Sequence, residues 1–321
     1  MNELARYHER EIPVINSRLR ELTSGLNGLV VPVVDHVLAA GGKRLRPLLT
    51  ALTARAFKYE GDVYPLACSL EFLHSATLLH DDILDGAELR RGRPSAHTLF
   101  GSTKTILAGD ALLALANRIV AEYETPELTR LLSQALLSTA TGEIMEIAHL
   151  RDTDMTFATY IEIITGKTAY LIEAACRCGA VLAQAPKDKV EAAGSLGLNL
   201  GIAFQLVDDV LDYTTPPHVS GKPSGADLRE GKITLPLIMY LQSLPENERI
   251  DLSARFRQDA LDGQALEDLR AEIVARGFAE KTRIMAAQYV EDAKKALDAF
   301  PDAPETGLLA QAVALMSNRE K

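Results

Sequence analysis

Apolar residues along this chain recur at three- and four-residue spacing, the mark of a helix face, and nowhere alternate long enough to build a sheet. The spacing predicts helices over residues 30–40, 47–58, 65–85, 103–122, 127–150, 156–184, 188–213 and 233–243. Three more are expected over 251–275, 279–299 and 304–318. The amphipathic stretch from Leu4 to Leu22 reads as a first helix with Leu4, Ile12, Ile15 and Leu19 turned inward. Contact with a bilayer surface is the other reading of that pattern. Pro65, Pro94, Pro126, Pro186 and Pro236 fall near the starts or ends of segments, where proline is tolerated. Gly194, Gly197 and Gly201 lie at i, i+3 and i+7, a smooth strip that permits close helix–helix approach, with a flexible hinge as the alternative. No linker or composition break divides the 321 residues, so one all-α domain over 1–321 is expected.

Two of these segments end in the same acidic pattern, Asp81-Asp82-Ile83-Leu84-Asp85 and Asp208-Asp209-Val210-Leu211-Asp212. On a helix, positions i and i+4 lie about 40° apart, so Asp81 and Asp85 point the same way, as do Asp208 and Asp212. Like charges so placed repel and call for a cation. All-oxygen ligands suit Mg²⁺, which keeps several waters and bridges carboxylates to substrate phosphates. A solvated helix end explains one such copy; two copies, each after buried-looking sequence, favour metal. Basic clusters accompany them: Lys43, Arg44 and Arg46 beside Gly41-Gly42, then Arg90, Arg91 and Arg93 after Gly86. Lys167-Thr168 interrupts an apolar run, and Lys222 and Lys232 flank a loop rich in Pro and Gly. Arg forks and Lys point charges both bind phosphate oxygens.

The balance of 34 Lys+Arg against 44 Asp+Glu, a net charge of −10, argues against a nucleic-acid partner. The three cysteines, Cys68, Cys176 and Cys178, lack metal spacing and read as buried thiols of a cytoplasmic protein. With no run of 18 uncharged apolar residues and no apolar leader core, no membrane-spanning segment is expected.

The segments GGKRLRP (41–47), HDDILD (80–85), LRRGRPSAH (89–97), GD (109–110), KTA (167–169), FQLVDDVLDY (204–213) and GKPSGADLREGKITLP (221–236), in this order and spacing, resemble the trans-polyprenyl diphosphate synthases. The resemblance is dense over residues 35–240. It implies an isoprenoid-synthase bundle around a central prenyl cavity, with the two acidic helices facing each other, commonly as a homodimer. It implies Mg²⁺ held by Asp81, Asp85 and Asp208, with Asp82, Asp209 and Asp212 as further ligands or neighbours. An allylic diphosphate ionises there while Arg90, Lys167 and Lys232 stabilise the leaving group, and Thr168, Gln205 and Lys222 complete its binding set. Lys43, Arg46, His74 and Arg91 hold isopentenyl diphosphate, whose double bond attacks the cation; the departing diphosphate takes the proton.

His74 lies seven residues before Asp81, on roughly the same helix face, although a lone histidine on an apolar helix can also be a satisfied core residue. Thr168 can equally bond only its own backbone. Glu146 departs from the resemblance, which commonly has Gln there; it alters the local charge or binds a neighbouring cation. Product length depends on how far the isoprenoid tail can extend. Thr77 and Ala76, four and five residues before Asp81, are small and leave the path open past fifteen carbons, although small residues also serve helix packing. Phe72, Leu73, Leu132 and Leu136 are candidate floors. An octaprenyl-like product for quinone side chains is expected, with geranylgeranyl or farnesyl diphosphate as alternatives. A non-catalytic subunit of a heteromeric synthase would lose one of these motifs, and this chain keeps both kinds. An all-α scaffold is the remaining reading.

Overall fold

The computed structural model describes residues 3–216 and 224–317, so Lys222 lies outside the described residues. Helices follow one another as the spacing predicts: α1 (Glu3–Thr23), α2 (Val31–Ala39), α3 (Leu45–Ala56) and α4 (Tyr64–Leu84). A small antiparallel hairpin, β1 (Leu89–Arg90) and β2 (Arg93–Pro94), is the β-structure among the described residues. Next come α5 (Ala96–Phe100), α6 (Ser102–Ala121), α7 (Pro126–Ala148), α8 (Phe157–Ile164), a π-helical turn (Thr165–Ala169), α9 (Tyr170–Leu182) and α10 (Lys187–Thr214). The chain closes with α11 (Ala226–Glu230), α12 (Leu235–Ser243), α13 (Glu246–Arg257), α14 (Gly263–Ala275), α15 (Phe278–Ala296), a 3₁₀ turn and α16 (Pro304–Ser317).

Four local differences from the sequence pattern have physical causes. The expected helix 251–275 is two, because Asp259 turns left-handed at φ +54° and Asp262 restarts the chain by accepting the Ala265 N–H at 2.8 Å. The 156–184 run is broken by the π turn. The short hairpin and α11 are each too brief to carry a periodic signal. In α1 the buried row is Tyr7, Glu11, Ile15, Leu19 and Thr23, while Leu4 and Ile12 are half-buried. Glu11 can sit there because Tyr64 Oη donates to it at 2.8 Å and Arg55 pairs with it at 3.2 Å.

The described residues group into two compact units. One runs to Leu136 and includes Leu171–Gly197 and Ala296–Ala312; the other comprises Leu137–Tyr170, Leu198–Lys295 and the residues from Val313. In the first, α4 is the central helix, packed chiefly on α6 and then α3. It buries Leu66, Leu70, Phe72, Leu73, Ala76 and Leu79, residues that point in several directions, as expected of a helix enclosed by neighbours. In the second, Leu206, Tyr213, Leu228, Leu237, Phe256 and Ile273 form one core, with Tyr213 Oη bonded to Thr234 Oγ1 at 2.8 Å.

The glycine strip of α10 serves close approach in each unit separately. A Cβ at Gly197 would lie 2.7 Å from Glu173 Cα, and one at Gly201 would lie 2.5 Å from Ala169 Cα. By length and mean hydropathy (1.3) α10 could cross a membrane, but 61% of its most apolar window is buried within the fold, as in a core helix.

Arg44 fixes the start of α3. It adopts a left-handed φ of +46°, and Pro47 follows within the first helical turn, where its missing N–H costs nothing. Its buried guanidinium donates to Glu71 of α4 at 2.7 Å, to Leu38 O at 2.6 Å and to Asn16 Oδ1 at 3.1 Å. Breaking such a pair from one side leaves a charge stranded out of water. Arg44→Met should therefore lower unfolding stability by about 3–5 kcal/mol in a urea titration. Arg44→Met with Glu71→Met should recover a large part of that loss, whereas an equally unstable double variant would mean the pair is not the cause.

Candidate active site

In the first unit the acidic end of α4 leads directly into the hairpin. Asp85 caps the helix with its N–H on Asp81 O at 2.8 Å, and Gly86 at φ +62° ends it. The hairpin turn, Arg91-Gly92, has φ +53° and +73°, the paired left-handed geometry of a two-residue turn. The hairpin is fastened to the preceding loop: Arg91 Nη1 donates to Gly41 O, Arg93 Nη1 to Ala39 O at 3.0 Å, and His36 bonds Pro94 O at 2.8 Å. Arg91 also lies over Gly42, where a Cβ would meet its Nη1 at 2.8 Å. The exposed Lys43 is the next residue.

These contacts bring Arg46, Arg90 and Arg91 around His74. Burial, and then those arginines together with Arg44, hold the His74 imidazole well below its ordinary value, so it is neutral. Arg46 Nε is buried and finds no hydrogen-bond partner among the described residues, and burial brings this guanidinium down to about 10. Arg91 is lowered too, by burial and then by Arg90. The cluster is short of negative charge. Two carboxylates offset it in part: Asp82, buried and accepting from Arg90 Nε at 2.6 Å, and Glu71, whose charge acts on Arg46 and Arg91. Asp82 is therefore a partner of Arg90, whereas Asp85 is exposed and Asp81 half-exposed.

Further down α4, Thr77 lies about 40° from Asp81 around the helix, is half-buried and donates to His74 O at 2.9 Å. Ala76 lies about 140° away and is fully buried. Phe72, Leu73 and Leu132 are buried, and Leu136 is half-buried.

The second unit holds a cavity of about 170 Å³. Lys167, Lys232, Gln205, Asp209, Asp227, Glu146, Tyr160, His149 and Thr234 supply its polar lining, and Met155, Ile163, Ile164 and Ile233 its apolar lining. Lys167 sits in the π turn, a distortion that recurs at functional sites. Gly142 and Gly166 let α7 lie directly against that turn; a Cβ at Gly142 would be 2.3 Å from the Lys167 backbone nitrogen. The Lys167 ammonium then falls between two carboxylates of α7, Glu143 at 2.8 Å and Glu146 at 2.5 Å. Burial pulls its proton affinity down, but Glu146 and Glu143 outweigh that and raise it overall.

A polar chain runs from Thr168 Oγ1, donating to Gln205 Oε1 at 2.8 Å, through Gln205 Nε2 to Asp209 Oδ1 at 2.8 Å. Tyr160 Oη donates to the other Asp209 oxygen at 2.6 Å. Burial pushes the Asp209 carboxyl upward despite these bonds. Asp208 and Asp212 are half-buried. Asp212 organises the chain that follows: its carbonyl accepts the Gly225 N–H at 2.9 Å, and its carboxylate accepts those of Ala226 at 3.1 Å and Asp227 at 3.2 Å. Lys232 pairs with Glu230 at 2.7 Å. Its loop is pinned where the Arg151 N–H donates to Gly231 O at 2.7 Å.

Among the described residues no three His, Cys, Asp or Glu side chains already converge as a metal cage. In each unit the accessible carboxylates, Asp81 and Asp85 in the first and Asp208 in the second, have the chemistry for a hard cation that keeps most of its waters. Sequence reasoning missed Tyr160, Glu143 and Asp227. Asp227 lies inside the motif 221–236, and its place in that motif was the available signal.

The model of the polyprenyl synthetase family matches residues 28–273. Octaprenyl diphosphate synthase of Escherichia coli is 33% identical over 306 residues, 95% of this chain and 93% of that protein. A decaprenyl diphosphate synthase from Rhodobacter capsulatus has a TM-score of 0.93 at 35% identity, covering 99% of this chain and 98% of that one. A polyprenyl synthase from Caulobacter crescentus, complexed with calcium and isoprenyl diphosphate, has a TM-score of 0.92 at 36% identity, with 99% and 97% covered.

The depressed His74 value makes stability depend on pH. The folded chain keeps His74 neutral, whereas the unfolded chain protonates it below about 6.5. The unfolded state then binds more protons, so this contribution to stability is complete above the ordinary histidine value and is lost as pH falls below it. Urea midpoints of metal-free protein at pH 7.5 and 5.5 should drop more for wild type than for His74→Gln. Equal drops would mean that His74 charges as readily in the folded state as in the unfolded one.

Proposed function

The chain is a prenyltransferase of the polyprenyl synthetase family, and we propose that it condenses isopentenyl diphosphate head-to-tail with an allylic diphosphate to build a medium-to-long, octaprenyl-like all-trans polyprenyl diphosphate for quinone side chains. The observation that carries this reading is the cationic cluster of the first unit. A buried Arg46 Nε with no hydrogen-bond partner among the described residues, a neutral His74, and Arg90 and Arg91 together suit a dense oxyanion. We assign that cluster, with Lys43, to the diphosphate of isopentenyl diphosphate. Neutral His74 donates one N–H, and the guanidinium forks bind oxygens in pairs.

The polar cavity of the second unit suits the allylic diphosphate. Lys167 and Lys232 contribute point charges, while Thr168 and Gln205 fix the side of the pocket next to Asp209. Lys222 belongs to the same proposed set. To these lysines, and to Arg90 of the first unit, we assign stabilisation of the charge that grows on the leaving diphosphate, since preorganised cations lower such a barrier. Tyr160 keeps Asp209 turned into the polar chain.

Mg²⁺ is the divalent ion we assign, to the carboxylates of Asp81 and Asp85 in the first unit and of Asp208 and Asp212 in the second; when bound it would neutralise diphosphate oxygens and so assist C–O cleavage. Asp82 acts through Arg90, which it holds in place. The departing diphosphate accepts the final proton, so no protein base is required. We further propose that the chain acts as one catalytic domain, is cytoplasmic and pairs as a homodimer. Exposed Ile106 and Leu107 on α6, and Leu137, Ile144 and Ile147 on α7, support pairing, and a monomeric mass by light scattering would refute it.

Asp81→Ala or Asp208→Ala should lower turnover by roughly three orders of magnitude or more without changing the thermal melt. The assay is incorporation of labelled isopentenyl diphosphate into farnesyl diphosphate with Mg²⁺; near-wild-type rates would remove that residue from the metal site.

For chain length, Thr77 is the residue that the tail meets below Asp81, with Ala76 as the second control point. Thr77→Phe and Ala76→Tyr should each shorten the products seen by reverse-phase chromatography after dephosphorylation. The half-open Thr77 position accepts the larger ring more readily than fully buried Ala76. Wild-type product stopping at fifteen carbons, or variants that stop where wild type does, would defeat this part of the proposal.

A further inference from the structure

Lys167 carries three N–H donors, and two are already taken. Glu143 Oε2 at 2.8 Å and Glu146 Oε2 at 2.5 Å leave one donor for any ligand in the cavity. The two carboxylates have different surroundings. Glu143 is buried and does not line the cavity, so it anchors the lysine from behind. Glu146, one helical turn further along α7, lies on the cavity wall with Lys232, Asp209 and Asp227.

Three carboxylates, Glu143, Glu146 and Glu230, are paired with the two ammonium groups, while burial pushes the Asp209 and Asp227 carboxyls of the lining upward. A diphosphate arriving alone meets surplus negative charge. The same anion arriving with a divalent cation does not, because the cation offsets both the anion and the wall. Glu146 is the leading attractive charge on both Lys167 and Lys232, and it adds to the repulsion felt by Asp209.

We propose that Glu146 is a positioning residue that acts through Lys167: it aims the ammonium at the cavity and, by occupying it, makes capture of a diphosphate there conditional on an accompanying divalent cation. The inference rests on the assignment of Lys167 to the allylic diphosphate. Removing the charge at Glu146 while keeping its shape should release Lys167 to a metal-free diphosphate, with Glu143 still holding the side chain. Where cations are abundant, the same change should matter little.

The test is calorimetric binding of farnesyl diphosphate to the full chain, with isopentenyl diphosphate omitted, once in EDTA and once in excess Mg²⁺. Glu146→Gln should tighten metal-free binding about tenfold, a change of the size expected when one near charge is removed, and change binding in Mg²⁺ by less than about threefold. Glu146→Met, with similar reach and no charge, should do the same and serves if the amide variant melts early. A residue that only supports the fold would not alter the ratio of the two affinities. Metal-free binding no tighter than wild type in folded variants would overturn the inference while leaving the assignment of Lys167 intact. Lys167→Met provides the second arm: weaker binding in Mg²⁺ supports the assignment, and unchanged binding would overturn both the assignment and the inference.

Discussion

An ionised side chain taken out of water has to be met by opposite charge or by hydrogen bonds, because a stranded buried charge costs several kcal/mol. That constraint shapes both units. Where Arg44 is fully enclosed, its contacts with Glu71, Leu38 and Asn16 complete its requirements, and it serves as a fastener. Around His74 the requirements are left incomplete. Arg90 has Asp82, but the Arg46 nitrogen has nothing among the described residues, and the histidine stays uncharged to avoid adding to the surplus. In the second unit the imbalance runs the other way, with three carboxylates, Glu143, Glu146 and Glu230, paired with two lysines.

The backbone achieves these placements by small departures from regular helix. Left-handed Arg44 starts α3 beside Glu71, left-handed Arg91 and Gly92 fold the hairpin back over the 39–43 loop, and the Gly142–Gly166 approach lets α7 carry two carboxylates onto Lys167. Each departure sits next to residues whose charges matter, and each is supported by packing on at least one side. Strained or unusual backbone that is over-determined by its surroundings commonly occurs at functional positions.

Much of the fold was legible because helices declare themselves by spacing. The α4 and α10 segments were found within a residue or so of their ends, and the glycines of α10 were identified as contact points before any partner was known. The break at 258–262 was not legible, since an Asp cap inside a polar stretch leaves the apolar period nearly undisturbed. In the site, the acidic and basic motifs were visible as residue types at fixed intervals. Which charge answers which was not: Glu146 and Lys167 are 21 positions apart, and Tyr160 and Asp209 are 49 apart. Pairings over such separations follow from packing, and periodicity carries no record of them. For the same reason the acidic motif shows Asp82 in the sequence but not its buried contact with Arg90.

The π turn at Thr165–Ala169 has one further consequence. A helix that takes one additional residue in a single turn shifts the phase of everything beyond it, so α8 and α9 cannot share one continuous apolar stripe. The stretch before the turn shows Tyr160, Ile163 and Ile164 to the cavity, and the stretch after it is free to satisfy a different set of neighbours. Losing one residue from this turn would restore an ordinary helix and rotate one side relative to the other by about 100°. Length is therefore constrained here more tightly than identity: a substitution alters one side chain, whereas a deletion would misdirect a whole helix.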